Sequence, residues 1–319
     1  MTMRAPGVHR RPDLPDRVRI YEVGPRDGLQ NESAIVPVDT KAEFIERLVA
    51  AGLETVEATS FVSPKWVPQL GDAETLFSML PERATVRYPV VVPNVAGLER
   101  AQAAGAHHIA VFAAATETFS RRNLNRGLNE ALEMFAPVVT KARQEGMWVR
   151  SYLSMCFGDP WEGEVQIDQV VDVALRLVGQ GCDEICIADT IGVATPGHVH
   201  DLLDALGRAG VATSQMAVHF HDTYGQALSN TVAALEAGVT TVDSSAGGLG
   251  GCPYADSATG NLATEDLVWL LQGLGIETGV DLEALVKTST WMADRLGRPS
   301  PSRVVRALQD GRTPEKSEP

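Results

Sequence analysis

Short runs of β-branched and apolar residues alternate along the chain with longer runs in which apolar positions recur every three or four residues. The strand-like runs begin 21 to 40 residues apart, and eight strand–helix units fit between Val18 and Gly275. This periodicity predicts repeated βαβ units, in which helices cover a parallel sheet. The expected strands cover residues 18–23, 53–61, 87–94, 108–115, 148–156, 184–189, 216–222 and 240–248.

Chain length leaves a choice between two architectures. A chain of 319 residues can form two domains of roughly 150 residues or one barrel of about 250. No GxGxxG motif follows the first strand, and no Walker A motif is present. The 258 residues of 18–275 match a single (β/α)8 barrel. We therefore predict an α/β fold, a TIM barrel at 18–275, with a flexible segment at 1–17, helices at 276–310 and a flexible tail at 311–319.

The composition excludes several classes of protein. A net charge of −14 and a pI near 4.9 argue against a nucleic-acid binder, which needs lysine and arginine to neutralise phosphates. No apolar run is long enough to predict a membrane span. Four cysteines without a CxxC pair indicate a reducing compartment. The first 17 residues lack the apolar stretch of a secretory signal and contain three prolines, so we expect a cytoplasmic protein.

Polar residues cluster at the predicted strand ends, where a TIM barrel carries its active site. His219 and His221 are two residues apart on the seventh strand and therefore point to the same side. Asp27 follows the first strand, while Glu57 and Asp189 lie on the second and sixth. Such a set predicts an open catalytic site for one divalent metal ion, with Mg²⁺ or Mn²⁺ suiting the ligands at least as well as Zn²⁺. The alternative is a polar strand end whose histidines bond only neighbouring backbone.

Three further features bear on the chemistry. Arg26, beside Asp27, either holds the loop as an ion pair or stabilises an oxyanion. Cys252 lies in the glycine-rich string GGLGGCPYAD, which is typical of a mobile lid that brings a thiol to the substrate; a small buried filler is the alternative. The string SRRN at 120–123 is predicted to be a basic loop, either solvated or in contact with a phosphate.

Five longer strings resemble the hydroxymethylglutaryl-CoA lyase family, which belongs to the metal-dependent TIM-barrel lyase/synthase superfamily. They are EVGPRDGLQNE (22–32), VEATSFVSPKWVPQL (56–70), ADTIGVATPG (188–197), VHFHDTYGQAL (218–228) and GLGGCPY…TGNLATED (248–266). The resemblance extends from about Val18 to Gly275. It implies cleavage of (S)-3-hydroxy-3-methylglutaryl-CoA to acetyl-CoA and acetoacetate, so the expected partner is a small-molecule acyl-CoA substrate.

The resemblance also implies a ligand set and a reaction sequence. The divalent-metal ligands would be Asp27, His219, His221 and Asn261, and the cofactor would be Mg²⁺ or Mn²⁺. Chelation would acidify the C3 hydroxyl of the substrate. Either Asp27 or His219 would then remove its proton, and the sequence leaves this choice open.

Other matched residues would act on the reaction or hold the substrate. Arg26 matches the arginine that stabilises the enolate, and Cys252 matches the cysteine that protonates it. Glu57 and Asp189 match acidic residues that support the cation site and the substrate hydroxyl. Gln30 matches an active-site glutamine.

The remaining predictions concern substrate binding and assembly. Arg121, Arg122 and Thr190 are predicted to contact the substrate, and the region around Trp66 lies where a large thioester would be received. We also expect a homo-oligomer, a dimer or larger, that binds neither nucleic acid nor membrane.

Departures from the family pattern keep other activities open. Cys186 and Ala188 stand where the resemblance leads us to expect serine and glycine, and Met155 and Asp159 stand where cysteines are common. A lyase for a bulkier 3-hydroxy-3-alkylglutaryl-CoA or another 3-hydroxyacyl-CoA is therefore an alternative. A Claisen-type synthase, a pyruvate-type aldolase and a non-catalytic binding barrel are further alternatives. No cysteine follows Cys252, so we expect no thiol regulation near the chain end.

Overall fold

Eight parallel strands form the centre of the molecule. The computed structural model describes residues 5–252 and 255–309, without the side chains of 252–259. The strands are β1 (Arg19–Glu22), β2 (Thr59–Ser60), β3 (Val90–Val91), β4 (His108–Ala114), β5 (Trp148–Ser154), β6 (Glu184–Asp189), β7 (Met216–Phe220) and β8 (Thr241–Ser244). Their order in the sheet is β1-β8-β7-β6-β5-β4-β3-β2.

The two edges of this sheet meet. Glu22 at the end of β1 forms a parallel bridge with Val56, just before β2. The amide of Glu22 donates to the carbonyl of Thr55 at 3.0 Å, and the amide of Glu57 donates back to the carbonyl of Glu22 at 2.8 Å. These bonds leave no open edge between β1 and the β2 segment, as a closed barrel requires. The predicted α/β TIM barrel is confirmed.

Helices cover the outside of the barrel because one face of each is apolar. In the first helix Phe44, Ile45 and Leu48 are buried, as the three- to four-residue spacing predicts. The helices are α1 (Val38–Ala50), α2 (Ala73–Met79), α3 (Val95–Ala103), α4 (Glu117–Leu124), α5 (Leu128–Gln144), α6 (Ile167–Gln180), α7 (Pro196–Arg208), α8 (Ala227–Glu236), α9 (Thr264–Gly273), α10 (Leu282–Leu296) and α11 (Arg303–Gln309). Within the described ranges, none is long and apolar enough to cross a membrane.

The prediction of a loop at 120–123 is wrong, because these residues lie within α4. Glu117 occupies the first turn and pairs with Arg121 one turn later at 2.6 Å, which favours a helix. Asn125 then ends the helix in the left-handed conformation, with φ 53°. Basic side chains therefore project from a short helix after β4.

The last two helices pack against the loop end of the barrel. Asp266 in α9 accepts hydrogen bonds from the Ser302 hydroxyl at 2.7 Å and from the amide of Val304 at 2.8 Å, and so fixes the start of α11. The Ser300 hydroxyl donates to the carbonyl of Gly247, in the loop that follows β8, at 2.8 Å. This extension therefore supports the glycine-rich loop. The division of the chain at 17, 275 and 310 stays a prediction.

Candidate active site

Three predicted metal ligands meet at the end of the barrel where the strands finish. The chain after β1 forms a single π-helical turn, Gly24–Gly28, which carries Asp27 over the barrel mouth. His219 lies on β7, and His221 directly follows that strand. One ligand atom from each of these side chains lies within 4.8 Å of the others. The set of Asp27, His219 and His221 can therefore hold a metal ion.

Asn261, the fourth predicted ligand, borders the same cluster. Its amide nitrogen Nδ2 donates to Asp27 Oδ2 at 2.8 Å and to the carbonyl of Leu249 at 3.0 Å. Gly250 allows this approach, because it has φ +97° and a Cβ there would lie 2.7 Å from Nδ2. Asn261 Oδ1 and His221 Nδ1 are buried without hydrogen-bond partners among the described residues. Such unpaired atoms beside a carboxylate fit a bound cation.

The protonation states also suit metal binding. Burial opposes ionisation of Asp27, but Arg26 and His219 outweigh it and lower the pKa of this carboxyl group to about 2. Burial, together with the neighbouring His219, lowers the pKa of His221 to about 3. An ionised carboxylate and a neutral imidazole are the forms that bind divalent cations.

Arg26 is held between two carboxylates. Its Nε donates to Glu57 Oε2 at 2.5 Å and its Nη1 to Asp27 Oδ1 at 2.6 Å. The guanidinium lies 5.3 Å from the centre of the Tyr152 ring. Nη2 makes no hydrogen bond within the described part of the chain, so the side chain presents a charged donor beside the Asp27 cluster. Arg26 can therefore be both an ion-pair partner and an oxyanion donor. Its Nε and Nη1 bond the two carboxylates, and its Nη2 remains for an oxyanion.

Glu57 is fully buried under Arg26. Tyr152 and Tyr21 donate their hydroxyl groups to Glu57 Oε1, at 3.0 and 3.3 Å. Burial raises the pKa of Glu57, and Arg26 only partly offsets this effect. These hydrogen bonds fix Glu57 under the Arg26 guanidinium, which it supports. Among the described residues, Glu57 makes no hydrogen bond to Asp27, His219 or His221.

Asp189 and Thr190 organise the loop after β6. The two Asp189 carboxylate oxygens accept the amides of Val193 and Ala194, both at 2.9 Å. The Thr190 hydroxyl accepts the amide of Met155 at 2.9 Å, at the end of β5. Burial raises the pKa of Asp189 to about 6. The structure thus gives both side chains partners in the surrounding loops, which leaves their predicted roles toward the substrate as predictions.

The other predicted substrate contacts follow the strands β1 and β4, with Gln30 after the π-helical turn and Arg121 and Arg122 on α4. Gln30 is half-buried just after the π-helical turn. Arg121 pairs with Glu117 on α4, whereas the Arg122 guanidinium lies 4.3 Å from the centre of the Trp161 ring. The backbone of Cys252 belongs to a two-stranded hairpin, Gly251–Cys252 with Ala255–Thr259, and its side chain is outside the described residues. The predicted thiol position is therefore untested.

Two buried charged residues escaped the sequence analysis. Asp243 on β8 places Oδ2 3.2 Å from His219 Nδ1, and Arg150 on β5 donates through Nη2 to Asp243 Oδ1 at 2.5 Å. Burial opposes the ionisation of Asp243, but Arg150 and His219 outweigh it and lower its pKa. Each is a charged residue inside an apolar strand, the same signal that singled out Glu57. Both lie inside strands, however, whereas the active site of a TIM barrel is expected at the strand ends.

Comparison with known proteins places this geometry in a family. The family model described as HMGL-like matches residues 17–292. The mitochondrial hydroxymethylglutaryl-CoA lyase of Rattus norvegicus is 49% identical over 306 residues, which cover 96% of this chain and 94% of the relative. The cytoplasmic 3-hydroxy-3-methylglutaryl-CoA lyase of Danio rerio is 49% identical over 300 residues, covering 94% and 89%.

A solved structure agrees with these sequence matches. The crystal structure of hydroxymethylglutaryl-CoA lyase from Pseudomonas aeruginosa superposes with a TM-score of 0.92 at 47% identity, covering 94% of this chain and 99% of that one. The resemblance inferred from the sequence strings is confirmed. The chain belongs to the HMGL-like family.

Proposed function

We propose that this protein is a divalent-metal-dependent carbon–carbon lyase that cleaves 3-hydroxy-3-methylglutaryl-CoA to acetyl-CoA and acetoacetate. The observation that carries the proposal is the position of Arg26 beside the Asp27, His219 and His221 cluster. It combines a cation site for the substrate oxygens with a charged donor for the negative charge released on cleavage. The half-identical relatives named for this activity support the same substrate.

The first step concerns the C3 hydroxyl group. Mg²⁺ or Mn²⁺, held by Asp27, His219, His221 and Asn261, would supply Lewis-acid polarisation of the substrate oxygens. Asp27 is proposed to remove the hydroxyl proton; His219, the other candidate, could do so only with a ring nitrogen that carries neither hydrogen nor the metal. The C3–O bond becomes a carbonyl, the C2–C3 bond breaks, and acetoacetate forms.

In the second step the negative charge on the enolate is stabilised and then neutralised by a proton. The electron pair of the broken bond passes to C2 and the thioester oxygen, forming the enolate of acetyl-CoA. Arg26 presents its remaining N–H groups to that oxygen while Glu57 holds the guanidinium in place. The Cys252 thiol then donates a proton to C2, and the proton taken from the hydroxyl restores the thiol. Thr190, Gln30, Arg121 and Arg122 are proposed to hold the acyl-CoA.

An assay of the products tests this proposal against its alternatives. Protein treated with EDTA and reloaded with Mg²⁺ should convert 3-hydroxy-3-methylglutaryl-CoA to equal amounts of acetoacetate and acetyl-CoA. Turnover of a 3-ethyl homologue alone would retain the chemistry and overturn the substrate. Condensation of acetyl-CoA with a keto acid, without cleavage, would favour a synthase or aldolase. No turnover of any such thioester after metal is restored would favour a binding protein.

Assembly and location are part of the proposal. A homo-oligomer is proposed, and light scattering of the purified protein would measure its mass. A cytoplasmic location is also proposed; relatives of the chain include both cytoplasmic and mitochondrial enzymes. Imaging of the tagged protein in its own cell would test it.

A further inference from the structure

A buried line of polar side chains runs from the candidate metal site into the barrel interior. His219, Asp243 and Arg150 form this line, which we call the interior chain. Asp243 is fully buried, and each of its carboxylate oxygens has one partner from this set: Oδ2 lies 3.2 Å from His219 Nδ1, and Oδ1 accepts Arg150 Nη2 at 2.5 Å. The carboxylate is therefore fixed from both sides.

Arg150 is itself held tightly. Its side chain has no solvent exposure, and its guanidinium lies 3.8 Å from the centre of the Tyr21 ring and 4.9 Å from that of Tyr152. Its Nε lies 3.4 Å from Glu184 Oε1. Cation–π contacts and ion pairs in a dry interior give such an arginine one orientation. Asp243 therefore faces a guanidinium placed by these contacts.

This arrangement determines which ring nitrogen of His219 carries hydrogen. An ionised carboxylate only accepts hydrogen bonds, so Nδ1 facing Asp243 Oδ2 is the N–H nitrogen. A neutral imidazole then keeps its lone pair on Nε2, the nitrogen left for a ligand. Carboxylate partners of this kind orient metal-binding histidines and increase their basicity.

We propose that Asp243, held by Arg150, is a positioning residue that fixes the tautomer of His219 so that Nε2 faces the metal site as a lone-pair donor. This inference rests on the proposed metal-dependent function. Metal binding and ring protonation can nevertheless be measured without substrate. Asp243 acts only through His219.

The decisive variant is Asp243→Asn, which preserves shape and removes one acceptor oxygen. Because Arg150 donates to Oδ1, the amide oxygen of the new side chain turns toward Arg150, and its NH₂ group faces His219 Nδ1. The imidazole must then place its hydrogen on Nε2, which removes the ligand lone pair. An analogous Asp-to-Asn change in a serine protease triad produces the wrong histidine tautomer.

Mn²⁺ titration of the EDTA-treated full chain measures the effect. We expect Asp243→Asn to raise the Kd for Mn²⁺ about 10- to 100-fold. The matched control is Cys186→Ala, because the Cys186 thiol lies 3.5 Å from the same Oδ2 atom without being part of the interior chain. Its Kd should stay within about threefold of the unmodified protein. An equal loss in both variants, or no loss in Asp243→Asn, would overturn the proposal.

Nitrogen-15 NMR of histidine-labelled, metal-free protein gives a second readout that a merely structural role would not change. We expect the Nδ1–H form of His219 in the unmodified protein and the Nε2–H form in Asp243→Asn. The unmodified protein decides the question even when the variant does not fold, since an Nε2–H tautomer there would overturn the inference. The lyase assay could fail while Asp243→Asn still raises the Kd for Mn²⁺ and still changes the tautomer of His219. That result would reject the proposed function and leave the positioning role of Asp243 intact.

Discussion

Arg26→Gln separates the catalytic and structural uses of one side chain. Arg26 contacts Glu57 at 2.5 Å and Asp27 at 2.6 Å, and it retains Nη2 for the enolate oxygen. Removing a charged donor of this kind costs about 10³-fold in kcat, equivalent to about 4 kcal/mol of transition-state stabilisation. The same change leaves the Glu57 carboxylate buried without its cation, which lowers the free energy of unfolding by about 3–5 kcal/mol.

A double variant distinguishes these two effects. In Arg26→Gln/Glu57→Gln both charges are gone, and the two amides can hydrogen-bond while Tyr21 and Tyr152 still donate to the oxygen at position 57. Urea denaturation should therefore show that most of the lost stability returns. Steady-state kinetics with 3-hydroxy-3-methylglutaryl-CoA should show that the 10³-fold loss in kcat remains.

The reasoning has two clear points of failure. A kcat within tenfold of the unmodified enzyme in folded Arg26→Gln would make Arg26 a purely structural residue. Recovery of activity in the double variant would show that the kinetic loss came from the unpaired Glu57 carboxylate. Both measurements use the metal-loaded protein, so that altered metal content does not enter the comparison.

Three further predictions concern the lid, stability and substrate binding. Cys252→Ser should leave the Kd for Mn²⁺ within about threefold while lowering kcat at least about 10²-fold; lost metal binding would contradict the lid assignment. Burial raises the pKa of Glu265 to about 8. The folded chain then keeps a proton between about pH 4.5 and 8 that the unfolded chain loses, so the unfolding free energy falls with rising pH by up to about 1.4 kcal/mol per unit. Glu265→Gln should flatten this slope in urea denaturation, except for the part due to Glu22, Asp189 and Glu57. Burial also raises the pKa of these groups, to about 7 for Glu22 and about 6 for Asp189; an unchanged slope would refute the assignment. Replacing Arg121 and Arg122 by alanine should raise KM about tenfold with kcat unchanged, and an unchanged KM would end their proposed role.

The observed strand bounds show which parts of the fold the hydrophobic pattern predicts. β6 was predicted with its observed bounds, 184–189, because a continuous apolar run ends there at a charged residue. The strand predicted at 87–94 is shorter in the structure, where it covers only Val90–Val91. Pro89 and Pro93 lie on either side and have no amide hydrogen to donate to a neighbouring strand. Barrel closure through Glu22 and Val56 depends on curvature between distant segments, and no local pattern encodes it.

The site was predictable to a similar extent. The two-residue spacing of His219 and His221 fixes their common side at the end of one strand, and Asp27 follows from its place at another strand end. The partnership of Asp243 with His219 joins residues 24 positions apart across neighbouring strands. It depends on sheet register, which is set by packing over the whole barrel. The interior chain therefore became visible only in three dimensions.

The most direct test of the central claim is a combined titration of metal and activity. EDTA-treated protein receives Mn²⁺ in steps, and bound ion and acetoacetate formation from 3-hydroxy-3-methylglutaryl-CoA are measured in the same samples. Activity should rise in proportion to bound ion and reach its plateau at one ion per chain, and Asp27→Asn should require a higher Mn²⁺ concentration for both. Full cleavage activity in protein without bound metal would contradict the account.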